Sequence, residues 1–139
     1  MKVLFTSLLA LTTLSARAEI FTLLIYEPES SFRLRTDQKS SYWADFSEYA
    51  SKLQAAGILR GGTAFVDGPT VKHVKVSKDS VQVKDGAFIK KADILGGYLS
   101  IDVVDMEQAI TWAKKAPANY GLHIDVRPSQ VNPTMGMKK

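Results

Sequence analysis

The amino-acid sequence predicts an α+β domain with an antiparallel sheet, on three observations. Residues 21–26 (FTLLIY) form a near-continuous apolar run of strand length, as a central buried strand requires. Two later segments repeat their apolar residues at helical spacing. Between and after them lie short stretches in which apolar and polar residues alternate, the pattern of half-buried strands.

The elements follow in order. After the first strand, residues 28–39 are polar and read as a long connection, a kind of segment that often flanks a site. Tyr42, Phe46, Tyr49, Leu53 and Ala56 then recur at spacings of four, three, four and three, which places them on one helix face. Ser40 or Ser41 can cap that helix, Asp45 favours its first turns, and Gly57 can end it. Residues 58–66 read as a strand interrupted by Gly61 and Gly62. Residues 71–76 and 81–83 alternate around Ser77–Ser80 and read as a hairpin. Residues 94–103 (ILGGYLSIDV) are a further strand, with glycines where a backbone bends or another approaches closely.

Asp105 is placed to accept from the backbone N–H of Gln108 and so begins the second helix. Met106, Ala109, Ile110 and Ala113 are expected to face the core, and Pro117 stops the helix. His123–Arg127 (HIDVR) alternates as a last strand before a polar tail, residues 129–139. The order β-α-β-hairpin-β-α-β describes a ferredoxin-like sandwich with both helices on one sheet face. The other face calls for a cover, and a second copy of the chain is the expected one.

The 139-residue chain opens with a pattern of its own. Met1 and Lys2 give a short positive start, residues 3–14 are apolar apart from small hydroxyl residues, and Ser15-Ala16-Arg17-Ala18 offers a small-residue cleavage site. Residues 1–18 therefore read as a secretory signal peptide, cleaved after Ala18, with residues 19–139 as one domain. The apolar run is shorter than the roughly 20 residues that span a bilayer. The expected location is periplasmic or secreted, with no membrane association after cleavage. Cysteine is absent, which removes disulfides and thiolate chemistry together. The net charge of +4 falls by the charges of Lys2 and Arg17 on cleavage, and the remaining Lys and Arg are scattered, so nucleic acid is not an expected partner.

The ordered residues resemble the YCII-related family in its DGPF-type branch. Leu23-Leu24-Ile25-Tyr26-Glu27 matches the family's first strand, Leu53-Gln54-Ala55-Ala56-Gly57 its helix end, and Gly61-Gly62 the glycine pair that follows. Asp85-Gly86-Ala87-Phe88 stands where the family has D-G-P-F, and Asp93 with Leu95-Gly96-Gly97-Tyr98 where it has an acid and L-G-G-Y. Ile101-Asp102-Val103-Val104-Asp105 and Asp125-Val126-Arg127-Pro128 complete the series. The resemblance covers roughly residues 21–128 and implies a dimeric α/β barrel of two ferredoxin-like subunits, each with a pocket. The chain departs from the pattern at Ala87, at Lys90-Lys91-Ala92-Asp93 and near Phe46, where one branch carries a helix histidine and this chain has none. The histidine-dependent mechanism of that branch does not transfer.

Candidate site residues follow from position and chemistry. Glu27 ends the first strand beside the long loop. It is either a general base with a pKa raised by burial or an ordinary solvated glutamate. Asp85 opens a turn and Asp93 precedes the glycine pair. If both approached one pocket, their repulsion would create an acid/base pair. Tyr26, Phe88, Tyr98, His123 and Arg127 are the candidates for substrate binding. Arg127 could hold a substrate carboxylate but is read first as a salt bridge to Asp125 or to an acid of a neighbouring strand, and His123 as a structural or surface residue or a partner of Glu27 or Asp125. His73 and His123 lack a second ligand at metal spacing, so neither metal nor cofactor is expected. No G-x-S-x-G, P-loop, G-x-G-x-x-G or RNP signature is present. The expected function is an exported small-molecule enzyme working by carboxylate acid/base chemistry, of lyase, isomerase or hydrolase type. The alternative is a non-catalytic dimeric protein binding a small organic molecule in the same pocket.

Overall fold

In the computed structural model, which describes residues 19–66, 70–89 and 91–130, the strands are β1 (Glu19–Pro28), β2 (Leu59–Ala64), β3 (Lys72–Val76), β4 (Val81–Asp85), β5 (Asp93–Val103) and β6 (His123–Pro128). The helices are α1 (Glu29–Arg33), α2 (Tyr42–Ala55) and α3 (Met106–Ala113), with a 3₁₀ turn at Ala118–Tyr120. Residues 1–18, where a signal peptide is expected, residues 67–69, Lys90 and most of the polar tail (131–139) lie outside the described residues. The four-stranded sheet has the order β2-β5-β1-β6 with every neighbouring pair antiparallel. With the β3–β4 hairpin set aside, this is the order of a ferredoxin-like sandwich, as the element sequence predicts.

The core sits on one face of that sheet. In β1, Phe21, Leu23, Ile25 and Glu27 are buried, while Ile20, Thr22, Leu24 and Tyr26 between them are half-buried. This is the period of two that a strand imposes. Phe21 and Leu23 pack with Ile101 and Val103 of β5, Tyr49 and Leu53 of α2, and Ala109 of α3, so both helices lie over the same face. Each fully buried large apolar side chain of this kind contributes about 1.5–3 kcal/mol. The Tyr49 hydroxyl donates to the Trp112 carbonyl at 2.9 Å, tying α2 to α3.

The caps follow the sequence reading. Ser40 accepts from the N–H of Tyr42 at 3.0 Å. Asp105 accepts from Gln108 N–H at 2.9 Å, and Gln108 reaches back to the N–H of Val104. The core side of α3 differs from expectation. Met106 and Ile110 are exposed, while Ala109, Ala113 and Trp112 meet the core. The indole supplies area that short alanines cannot, and the helix turns to bury it. Residues 28–39 are not an irregular loop throughout, since α1 occupies their start.

The β3–β4 hairpin forms a separate two-stranded sheet. Val74 pairs with Val83 and Val76 with Val81, so four valines share one face, and all four are exposed.

Candidate functional site

The last core-side residue of β1 is a carboxylate. Glu27 is fully buried and meets Arg35 Nη2 at 2.5 Å through Oε1. Tyr42, at the start of α2, donates its hydroxyl to Glu27 Oε2 at 2.7 Å. Arg35 comes from the segment between α1 and α2. Its Nε donates to the Tyr42 hydroxyl, its Nη1 to the Phe65 carbonyl at 2.7 Å and its Nη2 to the Gly96 carbonyl at 2.9 Å. The guanidinium also lies over the Phe32 ring at 4.3 Å. One side chain thus joins β1, α2, β5 and the end of β2. Burial, and then the hydrogen bond to the Glu27 carboxylate, raise the Tyr42 hydroxyl pKa well above the usual tyrosine range.

The L-G-G-Y glycines make room for this arrangement. The β1–β5 register slips at Ile25/Tyr26: Ile25 pairs with Gly97 and Tyr26 with Leu95, which leaves Gly96 as the extra residue of a β-bulge. A Cβ at Gly96 would lie 2.5 Å from Arg35 Nη2 and 2.8 Å from Glu27 Oε1, so glycine leaves the space that the ion pair occupies. A Cβ at Gly97 would stand 2.4 Å from the Thr63 carbonyl, because β2 passes close by.

Beside this pair lies a pocket of about 240 Å³ between α2 and the β2–β5 edge. Trp43, Phe46 and Ala50 of α2 form one wall, and Gly62–Ala64 with Gly96–Leu99 the other. Arg35 and Tyr42 close one end, and Arg35 is the one charged residue in the lining among the described residues. Tyr42, Phe46 and Tyr120 hold one another through ring contacts of 4.7–5.9 Å, and the Tyr120 hydroxyl donates to Asp45.

The residues singled out from sequence are distributed over three places. Glu27 stands behind Arg35 and does not line the pocket; Tyr98 belongs to the β5 segment along the pocket, but its pairing with Leu24 puts it on the sheet face away from the core. Glu27 is therefore neither a solvated glutamate nor a partner of His123. Its carboxylate is occupied by Arg35 and Tyr42.

Tyr26, Asp93, His123 and Arg127 lie on the opposite sheet face: Tyr26 pairs with His123, and Thr22 with Arg127. There His123 Nε2 stands 3.5 Å from Asp93 Oδ2, and Arg127 Nη2 is 3.1 Å from Asp125 Oδ2. Asp85 and Phe88 belong to the hairpin. Asp85 pairs with Lys72, and Phe88 stacks on His73 at 4.8 Å. The structure does not bring Asp85 and Asp93 into one pocket: Asp85 lines a hollow on the hairpin with His73, Lys75, Gln82, Lys84, Ala87 and Phe88, which Asp93 does not share.

Arg35 was missed as a site residue because it sits in a polar stretch with no periodicity. The available signal was Glu27 itself, a carboxylate in register with the buried positions of an apolar strand, which demands a cation nearby.

The family model described as YCII-related domain matches residues 20–127. No curated protein matches the chain. The chain belongs to the YCII-related domain family.

Proposed function

We propose that this YCII-related domain is an exported, homodimeric protein that binds a small, largely apolar organic molecule in the pocket between α2 and the β2–β5 edge. The observation that carries this reading is the lining. Its walls are aromatic and aliphatic, its polar groups are few, and among the described residues no carboxylate lines it. Such a surface binds by burial and shape, with a small number of polar groups to set orientation. A cavity of roughly 150 Å³ already holds benzene, so the volume suits a single ring with substituents. Glu27 orients Arg35 rather than acting as a base.

Export rests on the positive start, apolar run and small-residue site of residues 1–18. Dimerisation is supported by the sheet face away from the helices, where Leu24, Tyr26 and Tyr98 lie side by side and half-exposed. Covering such a face with a second copy is a common solution for this architecture.

One observation favours acid–base chemistry as a second reading. His123 and Asp93 stand at 3.5 Å on that outer face, with Tyr26 in register beside His123. In a dimer this pair would be enclosed between two sheets and could move a proton. Binding of aromatic fragments, followed by amide chemical shifts, tests the two. Shifts at Gly62–Ala64 and Gly96–Leu99 support the α2 pocket. Shifts confined to His123, Asp93 and Tyr26 support the outer face.

A further inference from the structure

The charge state of the preferred ligand follows from the Glu27–Arg35 pair, given the α2 pocket as the binding site. Among the described residues Arg35 is the one charged side chain in the lining, and an arginine at the end of an apolar pocket ordinarily marks a site for carboxylates. Here its charge is already neutralised. Glu27, fully buried, holds Nη2 at 2.5 Å from behind. Nε and both terminal nitrogens already donate to Tyr42, Phe65 and Gly96. Of the five guanidinium N–H groups, three donate to these acceptors, the second on Nη2 faces Glu27 Oε1 in the ion pair without a hydrogen bond, and the second on Nη1 has no acceptor among the described residues.

A carboxylate entering the pocket would be a second anion sharing one cation in an apolar surrounding, where an unpaired charge is costly. A neutral acceptor such as an amide or ketone carbonyl, or a phenol, needs only that one N–H. We propose that the pocket selects neutral, ring-sized molecules bearing a hydrogen-bond acceptor and rejects carboxylates, and that Glu27 is the residue setting this selectivity without touching the ligand.

The test compares benzamide with benzoate, which match in shape and differ in charge, by amide-shift titration of the full domain at neutral pH. Wild type is expected to bind benzamide on the order of tenfold or more tightly than benzoate. In Glu27→Gln, which keeps the shape and an acceptor for Tyr42, Arg35 is left uncompensated and the preference is expected to reverse. Should that variant not fold, wild type and 4-nitrophenol carry the same test. This probe loses its proton near neutral pH, and its binding is expected to weaken as the phenolate forms. Equal or tighter binding of benzoate and phenolate by wild type, with shifts in the pocket, overturns the selectivity while leaving the pocket in place. Absence of pocket shifts with every probe overturns the pocket and the selectivity together.

Discussion

Glu27 and Arg35 meet at 2.5 Å, the carboxylate fully buried and the guanidinium nearly so. Removing one partner of such a pair strands the other charge. Arg35→Met is expected to cost about 3–5 kcal/mol of stability. Replacing both, as Glu27→Leu with Arg35→Met, is expected to cost less than the sum of the two single changes. Urea unfolding of the four proteins in a double-mutant cycle measures this coupling.

Gly96 is the backbone side of the same arrangement. Gly96→Ala would put a methyl 2.5 Å from Arg35 Nη2, with Glu27 and the bulge on the other sides. Arg35 and Glu27 would have to move apart from the added methyl, which disturbs the ion pair. The expected loss is about 1–3 kcal/mol, in the range of an overpacked core, and urea midpoints measure it.

Alkaline pH acts through the buried tyrosines. Burial pushes the Tyr49 hydroxyl up to about 12 and raises Tyr42 further. In the unfolded chain a tyrosine loses its proton near 10. Between those values the folded state holds a proton that the unfolded state releases, so stability is full below pH 10 and falls as pH rises toward 12. The slope is up to about 1.4 kcal/mol per pH unit for each such group. Tyr49→Phe is expected to lose about 1 kcal/mol at neutral pH, with its bond to the Trp112 carbonyl, and to show a shallower decline above pH 10. Unfolding midpoints from pH 8 upward test both statements.

Leu24 lies between Tyr98 and Asp125 on the outer sheet face. If a second copy covers that face, as proposed, Leu24→Lys buries a charge in the interface. Sedimentation is expected to give a dimer for wild type and a monomer for Leu24→Lys, with the fold retained by circular dichroism. A monomeric wild type at micromolar concentration contradicts the pairing.

Most of the architecture was legible in the sequence because it depends on local period. Phe21, Leu23 and Ile25 announce a strand, Tyr42, Tyr49 and Leu53 a helix face, and Asp105 with Gln108 a cap. The family followed from the order of short motifs rather than from any one of them. The site was less legible because its parts come from four distant places. Glu27 was noticed for its position at a strand end, but its burial depends on the bulge at Gly96, and its partner Arg35 lies in an aperiodic segment. Asp85 was singled out from a turn signal that describes the hairpin alone. Met106 and Ile110 fit the helical period yet lost the core to Trp112, since periodicity does not say which of two apolar stripes a helix buries.

The central claim is that the pocket between α2 and the β2–β5 edge is the binding site. A benzamide titration of the wild-type domain, read residue by residue through amide shifts, tests it most directly. The expected result is saturable shifts at Gly62, Thr63, Gly97 and Leu99, together with the Trp43 indole, which lines the pocket and donates to the Arg35 carbonyl at 2.8 Å. Shifts confined to the hairpin residues His73, Lys84 and Phe88, or to His123 and Asp93 on the outer face, would contradict it.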